Sequence, residues 1–194
     1  MPTPLRRLPV LAAFLVAALT LSARTLVQCG TLIDGASATP RSHVTIVVDG
    51  ERIVSVDDGF TAAGPADKVV DLRQATVLPG FIDCHVHLDA ETNPQAFTDG
   101  FYLNAGDYAL RAAHHAYETL LAGFTTVRNL GDSHNSTLAL KKAIARGWMI
   151  GPRIYTAGAP IGTTGGHADP TDGFNTDVME KFLSPNVVDG PDAA

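Results

Sequence analysis

Apolar and polar positions follow two different periods along this chain. From residue 25 to residue 78 the period is that of short strands. In "HVTIVVDGERIVSV", residues 43–56, two β-branched runs flank Asp49-Gly50, the strongest short-range hairpin signal. "TLVQCGTLIDG" reads as a strand closed by a turn at Asp34-Gly35, and "KVVDLRQATVLP" as a further strand pair. Strands this short do not close a core of their own. Residues 24–78 are therefore expected to be the N-terminal part of a small β-sandwich.

The pattern changes after Pro79-Gly80. "GFIDCHVHL" is a strand, and residues 106–122 repeat Ala109, Ala113, Ala116 and Leu120 at helical spacing, with Gly123 as the stop. "FTTVRNL" is a second strand, "STLALKKAIARG" a second helix running from a Ser136 cap to Gly147, and "PRIYTAG" a third strand. Strand–helix–strand–helix–strand implies consecutive βαβ units, hence an α/β fold with a parallel sheet. The polar, glycine-rich stretch from Ala159 to about Val188 is too long for a mere connector, so it is functional or disordered. Pro191 and Asp192 stand where a further helix would start. The chain is expected to be the N-terminal part of something longer.

The first residues carry a separate signal. Arg6-Arg7 precedes an uncharged apolar run from Leu8 to Leu21, and small residues follow. The run is short for a membrane span of about 20 residues. It has the layout of a secretory signal peptide over residues 1–23, with an uncleaved anchor as the alternative. The expectation is an exported protein, periplasmic or secreted, without stable membrane insertion.

Composition narrows the class. Of 194 residues, 45% are hydrophobic and 18% charged, as in ordinary globular proteins. Net charge is −6, and no basic cluster appears beyond Arg6-Arg7, which excludes a nucleic-acid binder. The two cysteines, Cys29 and Cys84, fall in different expected sheets, so two free, buried thiols are expected rather than a disulfide. A homo-oligomer is compatible with all of this.

His85 and His87 carry the candidate chemistry. Side chains alternate along a strand, so the two share a face, roughly 6.6 Å apart along the chain, and both can converge on one metal ion. Asp83 has the same parity and is placed to orient a ligand histidine. Cys84 and Val86 would face the helices. The alternative is a hydrogen-bonded polar pair with no metal. Zinc needs three or four protein ligands, so the other histidines matter. His43 begins a hairpin strand. His114 and His115 are neighbours on a helix and diverge. His134 reads as a solvated loop residue. His167, in "IGTTGGHADP", follows the third strand on the same side as the histidine pair and is a candidate for substrate contact.

"TVLPGFIDCHVHL" resembles the first barrel strand of the metal-dependent amidohydrolase superfamily. "GTLIDG" and "VTIVVDGERIVSV" resemble that superfamily's N-terminal sandwich strands. "LLAGFTTVRNLGD" and "GPRIYTAGAPIGTTGGHAD" are similar to the second and third strands of the subgroup that holds imidazolonepropionase-like proteins and secreted Xaa-Pro dipeptidases. The resemblance implies a (β/α)₈ TIM barrel beside a small sandwich, with residues 79–194 supplying three of the eight strands. It also implies a divalent metal cofactor, zinc in particular, with two ions in the intact enzyme. The strand-one histidines that bind metal match His85 and His87, and the strand-three histidine near substrate matches His167. The remaining ligands of the family have no counterpart here, and Lys181 does not stand in the place of the family's carboxylated lysine. No catalytic base is assigned within residues 1–194.

Three functions follow as expectations. The first is the N-terminal part of an exported hydrolase that cleaves amide or peptide bonds of Xaa-Pro or similar dipeptides, inactive as residues 1–194 alone. The second keeps the family but opens a cyclic amide or deaminates a ring, as imidazolonepropionase relatives do. The third is a non-catalytic exported binding module with structural histidines.

Overall fold

The structure, a computed structural model, describes residues 23–132, 134–175, 177 and 186–192. Most of the expected leader, residue Lys181 and the last two residues lie outside the described residues. The chain divides into two compact units, Met1–Pro79 and Gly80–Ala194.

The first unit is a four-stranded sheet. β1 (Thr25–Leu32), β2 (Arg41–Asp49), β3 (Arg52–Asp58) and β4 (Lys68–Val77) lie in the order β3-β2-β1-β4. β1 pairs antiparallel with β2 and parallel with β4, and β2 pairs antiparallel with β3. The register places Asp49 opposite Arg52, so the hairpin tip is Gly50-Glu51, one residue later than the Asp-Gly signal suggests. Gly50 has φ of 57° while Glu51 keeps an ordinary φ. A glycine in the first tip position is what a type II′ turn requires. Cys29, Leu32 and Val44 form a buried cluster against which Val27, Ile46, Val56 and Val77 pack. At the start of β1, Arg24 forks onto Asp67, with Nη2 2.7 Å from Oδ2.

The expected strand pair at residues 68–77 is one strand. Cys29 faces Leu72 and Thr31 faces Thr76, so β4 takes four steps where β1 takes two. The polar residues that look like a turn form a bulge instead. Asp71 holds it together by accepting both the backbone N–H and the guanidinium of Arg73. Gly30 lies opposite. A Cβ there would come within 2.4 Å of the Arg73 carbonyl oxygen, so only glycine lets the bulge approach.

The second unit contains a parallel three-stranded sheet in the order β5-β6-β7: β5 (Phe81–Val86), β6 (Phe124–Asn129) and β7 (Arg153–Thr156). Three helices accompany it among the described residues. α1 (Ala96–Tyr102) is a short helix that the hydrophobic pattern does not announce, since none of its residues is buried. α2 (Ala105–Leu121) starts where the Asp107 carboxylate accepts the Asn104 backbone N–H at 2.8 Å, and Gly123, φ 97°, ends it. Its alanines Ala112, Ala113 and Ala116 are buried, so the helix sits close against the sheet. With Leu88, Val127, Leu140 and Ile154 they make the core, and Val86, Phe124 and Ile144 pack on its edge. Each fully buried aliphatic side chain contributes about 1.5–3 kcal/mol.

α3 (Ser136–Ala145) begins differently from expectation. Ser136 does not cap it; its hydroxyl donates to Asp89 Oδ2 at 3.0 Å. Asp132 does the capping, accepting the Thr137 backbone N–H at 3.0 Å and the Thr137 hydroxyl. Asn135 and His134 precede the helix with φ of 55° and 63°, two consecutive left-handed non-glycine residues.

Both cysteines are free, but only Cys29 is buried; Cys84 is exposed. β5 is bulged beside Cys84. Asp83 pairs with Val127 and Val86 with Asn129, so β5 carries one more residue than β6 across this span. Strict alternation therefore breaks at Cys84 and His85. Val86 reaches the core as expected, whereas Cys84 stays at the surface and its carbonyl accepts Arg128 Nε–H at 2.8 Å.

Candidate metal centre and substrate cavity

His85 lies near the C-terminal end of β5 and His87 just beyond it. Their ring centroids are 5.3 Å apart with planes at 64°. Two imidazoles bound to one tetrahedral zinc at 2.0–2.1 Å place their centroids roughly 5 Å apart. The pair therefore fits one metal ion by separation. Its donor set, two imidazole nitrogens, suits zinc.

His87 is also oriented. Its Nδ1 lies 3.2 Å from the Gly131 carbonyl oxygen. A carbonyl only accepts, so in the neutral ring this bond puts the proton on Nδ1 and leaves the lone pair on Nε2. The orienting group for this ring is thus a backbone carbonyl after β6. Asp83 acts elsewhere: its Oδ1 accepts the His85 backbone N–H at 3.0 Å and holds the main chain rather than a ring.

His85 and His87 open onto a cavity of about 530 Å³ that also has Leu130, Pro160, Ile161, Thr163 and His167 in its wall. The structure thus brings His167 to the same cavity as the histidine pair. It does not make it a third ligand, since among the described residues no group of three or more His, Cys, Asp or Glu can hold a metal ion. The loop carrying His167 is organised by carboxylates. Asp169 accepts the Gly165 N–H, the Thr171 N–H and the Thr171 hydroxyl, and these bonds, the hydroxyl foremost, hold its pKa below the usual carboxylate value. Gly162 pairs with Val187 in a parallel bridge, and Asp189 accepts the Thr164 N–H at 3.0 Å.

His87 and Pro160 also line a smaller cavity, about 220 Å³, together with Asp89, Tyr108 and Asp132. Asp89 and Asp132 are both buried. Residue-type reasoning passed over this neighbourhood, although a polar Asn129 at the end of an apolar strand was a visible signal. The other histidines have other partners. His115 Nδ1 sits 2.8 Å from the Leu88 carbonyl oxygen, and His114 faces Glu118 at 3.5 Å. His134 is exposed and stacks on Tyr108 at 5.2 Å. In the first unit, a hollow of about 250 Å³ beside His43 and Phe60 holds Asp71 and Arg73, already joined to each other at 2.6 Å. No helix among the described residues is long and apolar enough to cross a membrane.

Comparison with known proteins gives the same direction. The sequence profile of the amidohydrolase family matches residues 76–189. A crystal structure of a Xaa-Pro dipeptidase with methionine in its active site superposes with a TM-score of 0.78 at 40% identity, over 88% of this chain and 42% of that one. A prolidase complexed with N-methylphosphonate-L-proline superposes with a TM-score of 0.68 at 32% identity, over 87% of this chain and 41% of that one. Ochratoxinase of Aspergillus niger is 30% identical over 151 residues, covering 75% of this chain and 30% of its own length. The chain thus spans less than half the length of these relatives. It belongs to the amidohydrolase family.

Proposed function

We propose that this amidohydrolase-family chain carries the first metal-binding strand and part of the substrate cavity of an exported, metal-dependent hydrolase. The bond cleaved is an amide or peptide bond in a small substrate, with Xaa-Pro dipeptides the favoured class. The observation that carries the reading is the His85–His87 pair, spaced at 5.3 Å to share one ion and opening onto the same cavity as His167. The 40% identity to a Xaa-Pro dipeptidase supports the substrate class. The leader-like pattern of residues 1–23 supports export, to the periplasm or outside the cell.

In this reading the three parallel strands belong to a (β/α)₈ barrel and the four-stranded sheet to a sandwich beside it. His85 and His87 would hold a divalent metal, zinc in particular, one of two ions in the intact enzyme. Such an ion, when bound, polarises a scissile carbonyl and lowers the pKa of water. The Gly131 carbonyl keeps the His87 ring turned with Nε2 outward. His167 is placed to hydrogen-bond a polar group of the substrate. Leu130, Pro160 and Ile161 provide an apolar wall for a side chain or a prolyl ring. Residues 1–194 alone, with two imidazoles and no third ligand among those described, would not turn over substrate.

The test is metal analysis of the full-length protein, together with a panel of Xaa-Pro dipeptides, other dipeptides and imidazolones. Bound zinc and preferential cleavage of Xaa-Pro bonds are expected. A metal-free protein that keeps full activity would refute the metal reading. Ring opening without dipeptide cleavage would move the substrate to the cyclic amides.

A further inference from the structure

Asn129 is fully buried at the end of β6, on the face where Val127 packs into the core. A buried amide is costly unless its donors and acceptor are used. Its Oδ1 accepts the Leu88 backbone N–H at 2.8 Å, and its Nδ2 donates to the Gly131 carbonyl at 2.8 Å. Nδ2 also lies 3.4 Å from Thr137 Oγ1. Leu88 offers only a donor and Gly131 only an acceptor, so the amide has one orientation. The Gly131 carbonyl is the same one that faces His87 Nδ1 at 3.2 Å, and a carbonyl has lone pairs for both. Asn129 therefore grips His87 from two directions: the amide of the next residue, and the carbonyl its ring reads.

We infer that Asn129 is a positioning residue that sets the tautomer and the orientation of His87 through the Gly131 carbonyl. The inference rests on the reading of His87 as a metal ligand only for its consequence, since the tautomer exists with or without metal. Without the Nδ2 donor, the Gly131 carbonyl loses the bond that fixes its direction. The His87 ring is then free to place its proton on Nε2, the nitrogen that must be bare to bind an ion.

The experiment uses the full-length protein labelled with [15N]histidine and stripped of metal by a chelator, because an ion on Nε2 would by itself keep the proton on Nδ1; it is read by long-range 1H–15N NMR at about pH 8, where a free imidazole is neutral. His87 is assigned from the spectrum of His87→Gln. The wild type is expected to show the Nδ1–H form, and Asn129→Ala a mixture of tautomers. Zinc affinity, measured by chelator competition, is expected to fall about tenfold or more in Asn129→Ala. Ser136→Ala removes a neighbouring buried hydroxyl whose partner is Asp89 rather than Asn129, Asp132 or Gly131, and is expected to keep the Nδ1–H form. Should Asn129→Ala fail to fold, Asn129→Leu fills a similar volume without a donor to Gly131. A pure Nδ1–H form in the Asn129 variants overturns the inference, as does equal mixing in Ser136→Ala. Wild-type protein that shows the Nδ1–H form but binds no zinc overturns the metal reading alone.

Discussion

The imidazole rings of His85 and His87 lie 5.3 Å apart and 64° from coplanar, although β5 is bulged between Asp83 and Val86. Cys84 lies at the surface there, and the two rings are still neighbours. If they share an ion, removing either leaves a single imidazole on this strand. His85→Ala and His87→Ala are each expected to strip metal from the full-length protein and to lower kcat/KM by about 100-fold or more. Elemental analysis beside kinetics checks this. Full metal content in both variants would mean that the pair is a polar contact and not a centre.

His167 lines the same cavity as His85 and His87, and among the described residues the three do not form a metal-holding cluster. Its replacement should separate substrate handling from metal binding. His167→Ala is expected to keep the bound metal and lose about tenfold in kcat/KM, the worth of one hydrogen bond of about 1.4 kcal/mol. Loss of metal in this variant would contradict the assignment.

Gly30 has the closest backbone approach of the glycines in the first unit. A Cβ at this position meets the Arg73 carbonyl oxygen at 2.4 Å and its carbon at 2.9 Å, backbone atoms that cannot rotate away. Gly30→Ala is expected to destabilise the protein by about 1–3 kcal/mol through overpacking. Urea denaturation measures it. An unchanged midpoint would mean that the bulge in β4 relaxes at no cost.

Asp67 provides a pH dependence. The Arg24 guanidinium, with the Gly64 N–H, lowers its pKa from 3.8 to about 2. Between these values the unfolded chain binds a proton that the folded one refuses. The contribution is therefore present above about pH 4 and lost as pH falls towards 2. Asp67→Asn is expected to flatten the acid limb of a stability–pH curve while leaving its slope above pH 5 unchanged. An identical acid limb in the variant would remove Asp67 from the account.

Strands and helices were legible where apolar residues recur at a clean period, as in the β2–β3 hairpin and the alanine stripe of α2. Legibility failed where polar groups decide. The Asp71–Arg73 bulge looks like a turn because polar residues interrupt the apolar run, and a side-chain fork keeps them in one strand. Ser136 looks like a helix cap, but Asp132 reaches the helix start first and frees the Ser136 hydroxyl for Asp89. α1 buries none of its residues, so no periodic stripe marks it.

The candidate site divides the same way. Local sequence was enough to single out His85 and His87 as neighbours, but their ring separation also depends on the bulge in β5 and on His87 lying just past the strand's end. It was also enough for the parallel α/β order, because hydrophobic period and glycine stops are local. What only tertiary structure decided is everything joined across strands. Those features are the cavity that His167 shares with the pair, the Gly131 carbonyl 3.2 Å from His87, and the Asn129 amide that holds that carbonyl. Residue 87 and residue 131 are far apart in the chain. They become partners only because β5 and β6 lie side by side in parallel, which brings both strand ends to one edge of the sheet.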